Sequence, residues 1–196
     1  MPRAPSPPAR KSPATRATSY AAFLRGINVG GSKKIRMAGL KQAFEALGFR
    51  NVQTLLASGN VLFEARERDA RKLTKIIERK LKQAFGMEIW VVLSTRRALL
   101  RLLAADPFRK IKVTSLTRLF VTFLPEKPRT ALKIPCQSPD KSFRILCILG
   151  ADVCSVLTLG PQWARNLRQM DILEKEFGKK ITTRTWNTVR KCAGRG

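Results

Sequence analysis

The chain has 196 residues, enough for one sizeable domain or two small ones, and 44% of them are hydrophobic, as in ordinary globular proteins. Lysine and arginine number 39 against 13 acidic residues, which gives a formal net charge of +26. A field of that sign attracts nucleic acid and other polyanions. The sequence contains no histidine, which excludes every histidine-dependent triad and removes the commonest ligand for transition metals.

The spacing of the cysteines and the hydropathy further restrict the class of protein. The four cysteines show no C-x-x-C spacing, and Cys147 and Cys154 lie in apolar runs, so we interpret them as reduced core residues. The sequence shows no signal-peptide pattern and no apolar run long enough to span a membrane. We therefore expect a cytoplasmic, soluble protein with no membrane partner, no metal and no cofactor.

The chain begins with a segment that has no means of building a core. Residues 1–18 consist mainly of proline, alanine, serine and basic residues, a composition typical of a disordered tail. Only four of the basic residues lie in this predicted tail, so most of the positive charge belongs to the part that folds.

Residues 19–93 show the periodicities of a ferredoxin-like βαββαβ domain, an antiparallel sheet with two helices on one face. Helix caps and a tight Ser58-Gly59-Asn60 hairpin support this order. The expected elements are Tyr20–Leu24, Met37–Leu47 ended by Gly48, Val52–Ala57, Val61–Ala65, a helix capped by Asp69 and closed by Gly86, and Met87–Leu93.

The second half repeats the pattern less regularly. The sequence of residues 94–116 predicts a connecting helix, with Ser94 as its N-cap, and a linker. The sequence of residues 117–196 predicts a second, degenerate α/β plait. The stretch from Pro125 to Pro139 has room for one short helix. The other elements are expected at Leu119–Leu124, Ser142–Leu149, Val153–Leu159, Asn166–Phe177, Ile181–Thr183 and Thr185–Cys192. The predicted fold class is therefore α+β, with two ferredoxin-like domains and antiparallel sheets that carry helices on one face.

The segment from Arg25 to Lys34, with the sequence RGINVGGSKK, is the densest cluster of glycine, amide and positive charge in the chain. It connects a strand to a helix with about a dozen residues, where two to six is usual. Gly26 and Gly31 have the spacing of a phosphate loop, but Ser32-Lys33 reverses its last pair and the surrounding pattern is antiparallel, which excludes a nucleoside triphosphatase. The loop either holds a phosphate or oxyanion, or serves only as a structural connection.

The leading hypothesis from the residues is a non-enzymatic protein that binds an anion or nucleic acid through this basic glycine-rich loop. The expected contacts are Arg25, Asn28, Gly30, Gly31, Lys33 and Lys34. A second group matters only if the two halves face each other across a cleft, namely Ser58, Asn60, Arg184 and Asn187.

Two alternatives stay open, and no catalytic set is predicted. The first is an enzyme that acts on a phosphorylated or carboxylated small molecule in that cleft, with Glu64 or a cysteine moving protons. The second is a structural or partner-binding protein whose loop only shapes the fold.

Five segments in order are together similar to the bacterial "domain of unknown function 1697" family: LRGINVGG from Leu24, MAGL from Met37, LGF from Leu47, SGNV from Ser58 and TTRTWNTV from Thr182. The resemblance implies two α/β-plait domains in a small cytoplasmic protein, and it brings no activity, cofactor or catalytic residue. The chain departs from the family's usual residues at Ser32, Leu55, Ala57, Ala164–Leu167 and Thr185, so a pocket shared by the family at those positions would be altered here.

Overall fold

The computed structural model describes residues 17–29, 34–160 and 169–194. Most of the predicted tail and the centre of the glycine loop lie outside these ranges. In chain order the elements are β1 (Thr18–Leu24), α1 (Met37–Glu45), β2 (Arg50–Leu55), β3 (Asn60–Ala65), α2 (Ala70–Phe85), β4 (Val91–Thr95), α3 (Arg96–Ala105), β5 (Thr117–Phe123), β6 (Cys136–Gln137), β7 (Phe143–Leu149), β8 (Asp152–Thr158), α4 (Gln169–Phe177), β9 (Thr182–Thr185) and α5 (Trp186–Cys192).

The first sheet is antiparallel, with the strand order β2-β3-β1-β4, so β4 lies at one edge. The helix signals in the sequence are confirmed for α2. The Asp69 side chain accepts hydrogen bonds from two backbone amides of the first turn, and Gly86 ends the helix in the left-handed conformation. Helices α1 and α2 pack on one face of the sheet around Phe44 and Phe63.

The second sheet is also antiparallel, with the order β6-β7-β8-β5-β9. If the short edge strand β6 is set aside, the order matches that of the first sheet. The segment from Pro125 to Pro139 contains no helix, contrary to the room that the sequence left for one. Its spaced prolines lack the amide hydrogens that a helix needs, and only two residues pair as β6.

The predicted boundary between the fourth strand and the third helix was wrong. The strand was expected at Met87–Leu93 and runs instead from Val91 to Thr95, because these residues pair in register with β1. Ser94 therefore lies inside the strand. The N-cap of α3 is Thr95, whose hydroxyl accepts a hydrogen bond from the amide of Ala98 at 3.1 Å.

Alternation along the strands divides the interior into three apolar layers. In β1, Tyr20, Ala22 and Leu24 face the layer under α1 and α2, whereas Ala21 and Phe23 face the second sheet. Residues from both sheets, α3 and α5 share this central layer, in which the rings of Phe23 and Phe123 stack with centroids 4.1 Å apart. The far face of the second sheet packs against α4 around Leu173. The two sheets are therefore joined by one common core.

Candidate functional site

Arg25, at the root of the glycine loop, is bound to the second half of the chain. Its guanidinium donates a hydrogen bond to the carbonyl oxygen of Ile181 at 2.8 Å and forms an ion pair with Glu174. It also lies 5.6 Å from the ring centroid of Trp90, within the range of a cation–π contact. Arg25 was predicted to bind an anionic ligand, and the structure places it in contacts between elements.

Asn28 closes the loop at its base. Its side-chain NH₂ donates to the carbonyl oxygens of Ile35 at 3.0 Å and Ala57 at 2.8 Å, and its side-chain oxygen accepts from the amide of Ile35 at 2.8 Å. The backbone at Asn28 is left-handed, with φ of 55°, a conformation that asparagine tolerates better than most residues. The side chain is thus occupied by backbone groups at the end of the loop and in the β2–β3 connection.

The remaining residues of the predicted loop site are only partly described. Lys34 is exposed to solvent, as a phosphate-binding lysine would need to be. Gly30, Gly31 and Lys33 lie outside the described residues.

Three of the four predicted inter-half residues, Ser58, Asn60 and Arg184, come together in a closed hydrogen-bond cluster, here called the Arg184 cluster. Arg184 is 9% exposed, and its guanidinium carbon lies 5.6 Å from the ring centroid of Phe23. Its donors reach the side-chain oxygens of Asn60 at 2.6 Å and Thr182 at 2.7 Å and the carbonyl oxygens of Leu24 at 2.6 Å, Ser58 at 3.0 Å, Gly59 at 3.2 Å and Thr183 at 2.9 Å.

A guanidinium has five N–H donors, so these acceptors use all of them and leave none for a ligand. Asn60 is equally engaged, since its NH₂ donates to the carbonyl oxygen of Leu55 and to the hydroxyl of Ser58. Burial lowers the pKa of Arg184 to about 10, which still leaves it charged at neutral pH. Asn187 is exposed on α5 and takes no part in the Arg184 cluster.

Gly59 lets the 58–60 turn approach the core. Its φ is +77°, and a Cβ at this position would lie 2.7 Å from Ile27 Cδ1 and 3.0 Å from Leu24 Cβ. Any side chain would therefore be strained and would push the turn carbonyls away from Arg184.

An open, positively charged groove lies between α2 and the edge strand β4, and we call it the basic groove. It consists of two adjoining hollows of about 390 and 230 Å³ that share Lys75, Glu78 and Trp90. Its basic side chains are Arg71, Lys75, Arg79 and Lys82 on α2 and Lys180 on the opposite wall.

The ion pairs along the basic groove leave part of its charge free. Arg71 pairs with Glu126 and Lys82 with Glu88, while Glu78 accepts a hydrogen bond from the amide of Val91 at 2.9 Å on the free edge of β4. Within the described chain, Lys75, Arg79 and Lys180 form no ion pair.

Beyond the basic groove lies a cavity of about 590 Å³ between the two sheets, which shares Leu93 and Pro125 with it. We call it the inter-sheet cavity. Asp152 lines it at the start of β8, and burial raises the pKa of this carboxyl from 3.8 to about 6. Other polar lining residues are Ser94 and Thr95 of β4 and Arg101 of α3. Carboxyls with raised pKa values in clefts are frequent in functional sites.

Two of these features were not predicted from the sequence. The four basic residues on α2 recur every three or four positions, so the helical period already placed them on one face, but it did not show that a strand edge lies beside them. Asp152 lies just outside the strand expected at Val153–Leu159, although its alternation with Cys154 and Val156 puts it on the inner face of the sheet. Among the described residues, no three potential metal ligands cluster, and no helix is long and apolar enough to cross a membrane.

Comparison with known proteins identifies the family. The model of a family described as "Protein of unknown function (DUF1697)" matches residues 17–143. The chain belongs to the DUF1697 family. Its structure is similar to that of the conserved bacterial protein SP0830 from Streptococcus pneumoniae, with a TM-score of 0.68 and 21% sequence identity. That likeness covers 92% of this chain and 99% of the other, and it concerns the fold alone. No curated protein matches the chain.

The segments by which this chain resembles DUF1697 proteins are largely those that build the Arg184 cluster. Three of them meet there: the end of β1 at Leu24, the 58–60 turn, and 182–184 on β9. In this DUF1697 protein the motif residues hold the two sheets together.

The departures from the usual DUF1697 residues that are described leave these contacts intact. Leu55 and Ala57 take part through their backbone carbonyls, which accept from Asn60 and Asn28 whatever their side chains are. Thr185 caps α5, since its hydroxyl accepts from the amide of Thr188 at 3.3 Å. Ser32 and residues 164–167 lie outside the described ranges.

Proposed function

We propose that this protein binds single-stranded nucleic acid in the basic groove. The observation that carries the proposal is the pair Lys75 and Arg79, two exposed cations without carboxylate partners in the described chain, in one groove with Trp90. Proteins that bind single strands combine a positive groove, which follows the phosphates, with aromatic side chains on which bases stack.

The spacing of the cations suits an extended chain of phosphates. Arg71, Lys75 and Arg79 follow one another at intervals of four residues, so they rise by about 6 Å per step along one face of α2. The half-buried indole of Trp90 lies at the centre, where the two hollows meet. The net charge of +26 would draw any polyanion toward this surface.

The glycine loop is proposed as a second contributor, because its root lies against the same tryptophan. Arg25 packs on Trp90, and Lys34 at the other end of the loop is exposed. Reversal of Lys33 and Lys34 to glutamate should then weaken binding, and an unchanged affinity would remove the loop from the account.

The test is a salt series of fluorescence anisotropy with labelled single-stranded DNA, single-stranded RNA and duplex DNA. The groove variant is Lys75→Glu with Arg79→Glu. The matched control is Arg109→Glu with Lys110→Glu, which makes the same change of charge at exposed residues that do not line the basic groove.

The groove variant is expected to bind single strands at least tenfold more weakly than the control does. The slope of log K against log salt should also fall by about 1.4, since each lost phosphate contact on a single strand contributes about 0.7. Equal losses in the two variants would show that binding follows overall charge and not the groove. A Trp90→Leu variant adds a separate readout, because stacking contributes about 1–3 kcal/mol per base.

For the architecture, we propose that 19–93 and 117–196 are two ferredoxin-like halves linked by 94–116. Their common strand order supports this division, and the absence of a helix between β5 and β7 marks the second half as the degenerate one. The alternative function, an enzyme with an anionic substrate between the halves, would need other groups than Ser58, Asn60 and Arg184, whose polar atoms are bonded to one another and to backbone.

A further inference from the structure

The inter-sheet cavity holds two polar side chains that lack partners. Asp152 projects from the inner face of the second sheet and Ser94 from the inner face of the first. No described residue donates a hydrogen bond to the carboxylate of Asp152 or pairs with the hydroxyl of Ser94, although Ser94 is only 9% exposed. Ser94 is buried and Asp152 is half-buried, so a polar ligand in this common cavity would find one carboxylate and one hydroxyl that no described residue pairs with.

Apart from Thr95 and Arg101, the remaining side chains of the cavity wall are apolar. Its volume of about 590 Å³ is within the range of small-molecule sites, which are typically apolar with a few convergent polar groups. The apolar lining is contributed by Leu93, Ala98, Leu102, Ala105, Leu124 and Leu149. Such walls suit a flat ring.

We propose that the inter-sheet cavity is a nucleobase site in which the carboxylate of Asp152 accepts hydrogen bonds from the N–H groups of a base, guanine above all. Guanine carries a ring N–H and an amino group side by side, and a carboxylate accepts such a pair through its two oxygens. The hydroxyl of Ser94 can pair with a further polar atom of the ring. This inference deepens the proposed function, because it gives one base of a bound strand a place to enter.

The charges around the cavity favour a nucleotide over a free amine. A small cation would be repelled by a protein of charge +26 before it reached Asp152. A nucleotide instead offers N–H donors at one end and an anionic phosphate at the other. Arg101 lines the same cavity, and the basic groove adjoins it through Leu93 and Pro125, so cations are available for the phosphate.

The titratable groups that face Asp152 do not pair with its carboxylate. Arg101 of α3 lines the cavity but forms no ion pair with it, and the neighbouring thiol of Cys154 on β8 is itself kept neutral because burial raises its pKa. Burial likewise raises the pKa of Asp152 to about 6, so the carboxylate is the main form at pH 7.5 and a weakly solvated acceptor.

The experiment measures binding of the 5′-monophosphates of guanosine, adenosine, cytidine and uridine to the full chain at pH 7.5 by calorimetry. Guanosine monophosphate is expected to bind most tightly, and Asp152→Asn should weaken it at least tenfold, because the amide offers one acceptor in place of two. The exposed carboxylate of Asp171 gives the control Asp171→Asn, which should leave the affinity unchanged. Unfolding temperatures of both variants show that they are folded.

A second arm separates this inference from the proposed function. The groove variant Lys75→Glu with Arg79→Glu should no longer bind single-stranded oligonucleotides. It should still bind free guanosine, which has no phosphate. If the wild-type chain binds guanosine but no oligonucleotide, the groove proposal is refuted and the cavity proposal stands. A change of less than twofold with Asp152→Asn, equal affinity for the four nucleotides, or no binding at millimolar concentration would overturn the nucleobase site.

Discussion

Replacing Arg184 with methionine should destabilise the whole protein, because this side chain joins the two sheets. Three of its N–H groups face the first half, where they donate to four acceptors: Asn60 and Leu24 at 2.6 Å, Ser58 at 3.0 Å and Gly59 at 3.2 Å. Hydrogen bonds to charged groups contribute about 1.5–3 kcal/mol each, so the gross loss is about 5–9 kcal/mol. Folding also pays the cost of desolvating the guanidinium, and methionine removes that cost, which reduces the loss of stability. Burial lowers the pKa of Arg184 to about 10, which corresponds to about 3 kcal/mol. The expected net loss is about 4 kcal/mol.

Urea unfolding, followed by circular dichroism and by tryptophan fluorescence, measures this loss. Wild type should unfold in one transition by both probes, since the sheets share a core. Arg184→Lys should fall about midway, because an ammonium has three donors and no planar fork. Arg190→Met, at an exposed position of α5, is the control and should change stability by less than about 0.5 kcal/mol. A loss below about 1 kcal/mol for Arg184→Met would refute the reasoning that this cluster joins the halves.

Other positions give independent tests. The pKa of Asp152 is about 6 in the folded protein, above its ordinary value of 3.8, so ionisation of this carboxyl destabilises the folded state. The contribution of Asp152 to stability is therefore fully present below about pH 4 and is lost as pH rises through 6. Asp152→Asn should accordingly stabilise the protein at pH 7.5 by at most about 3 kcal/mol, less after solvent screening, and leave it unchanged at pH 4; thermal unfolding at both pH values checks this. Gly59→Ala should cost about 3 kcal/mol in urea titrations through its positive φ and the contact with Ile27, whereas Gly150→Ala, where a Cβ meets nothing within 4 Å, should cost about 1 kcal/mol. Burial raises the pKa of Cys192 to about 11, so alkylation by iodoacetamide at pH 8 should be much slower in folded than in urea-unfolded protein, and similar rates would contradict its burial in the central layer.

The order of elements was predictable because the local signals agreed with one another. The carboxylate of Asp69 and the glycine at 86 bound α2 as expected, and apolar alternation located the strands. The start of β4 was not predictable, since Met87–Trp90 has the apolar composition of a strand and only pairing with β1 decides where the ladder begins.

The candidate site was less accessible to sequence reasoning, because a polar residue's role depends on which acceptors surround it. Arg184 and Asn60 were predicted to matter only if the two halves face each other across a cleft, and the structure shows them bonded to each other. Nothing in the sequence states that all donors of that guanidinium are used, since most of its acceptors are backbone carbonyls, which every residue has. Asp152 went unnoticed for a related reason, as its surroundings include α3 and β4, which lie far away in the chain.

The shared central layer has a consequence for synthesis on the ribosome. The first sheet is complete once β4 has emerged, but its inner face, with Ala21, Phe23 and Val92, stays uncovered until the second sheet has formed. Strand β9, which carries Arg184, is made last of all the described strands. A nascent chain therefore exposes an apolar sheet surface through the translation of roughly half its length, a state prone to aggregation. We therefore expect the nascent chain to need chaperones during translation. A translational pause placed after β4 should increase misfolding more than a pause placed after β9.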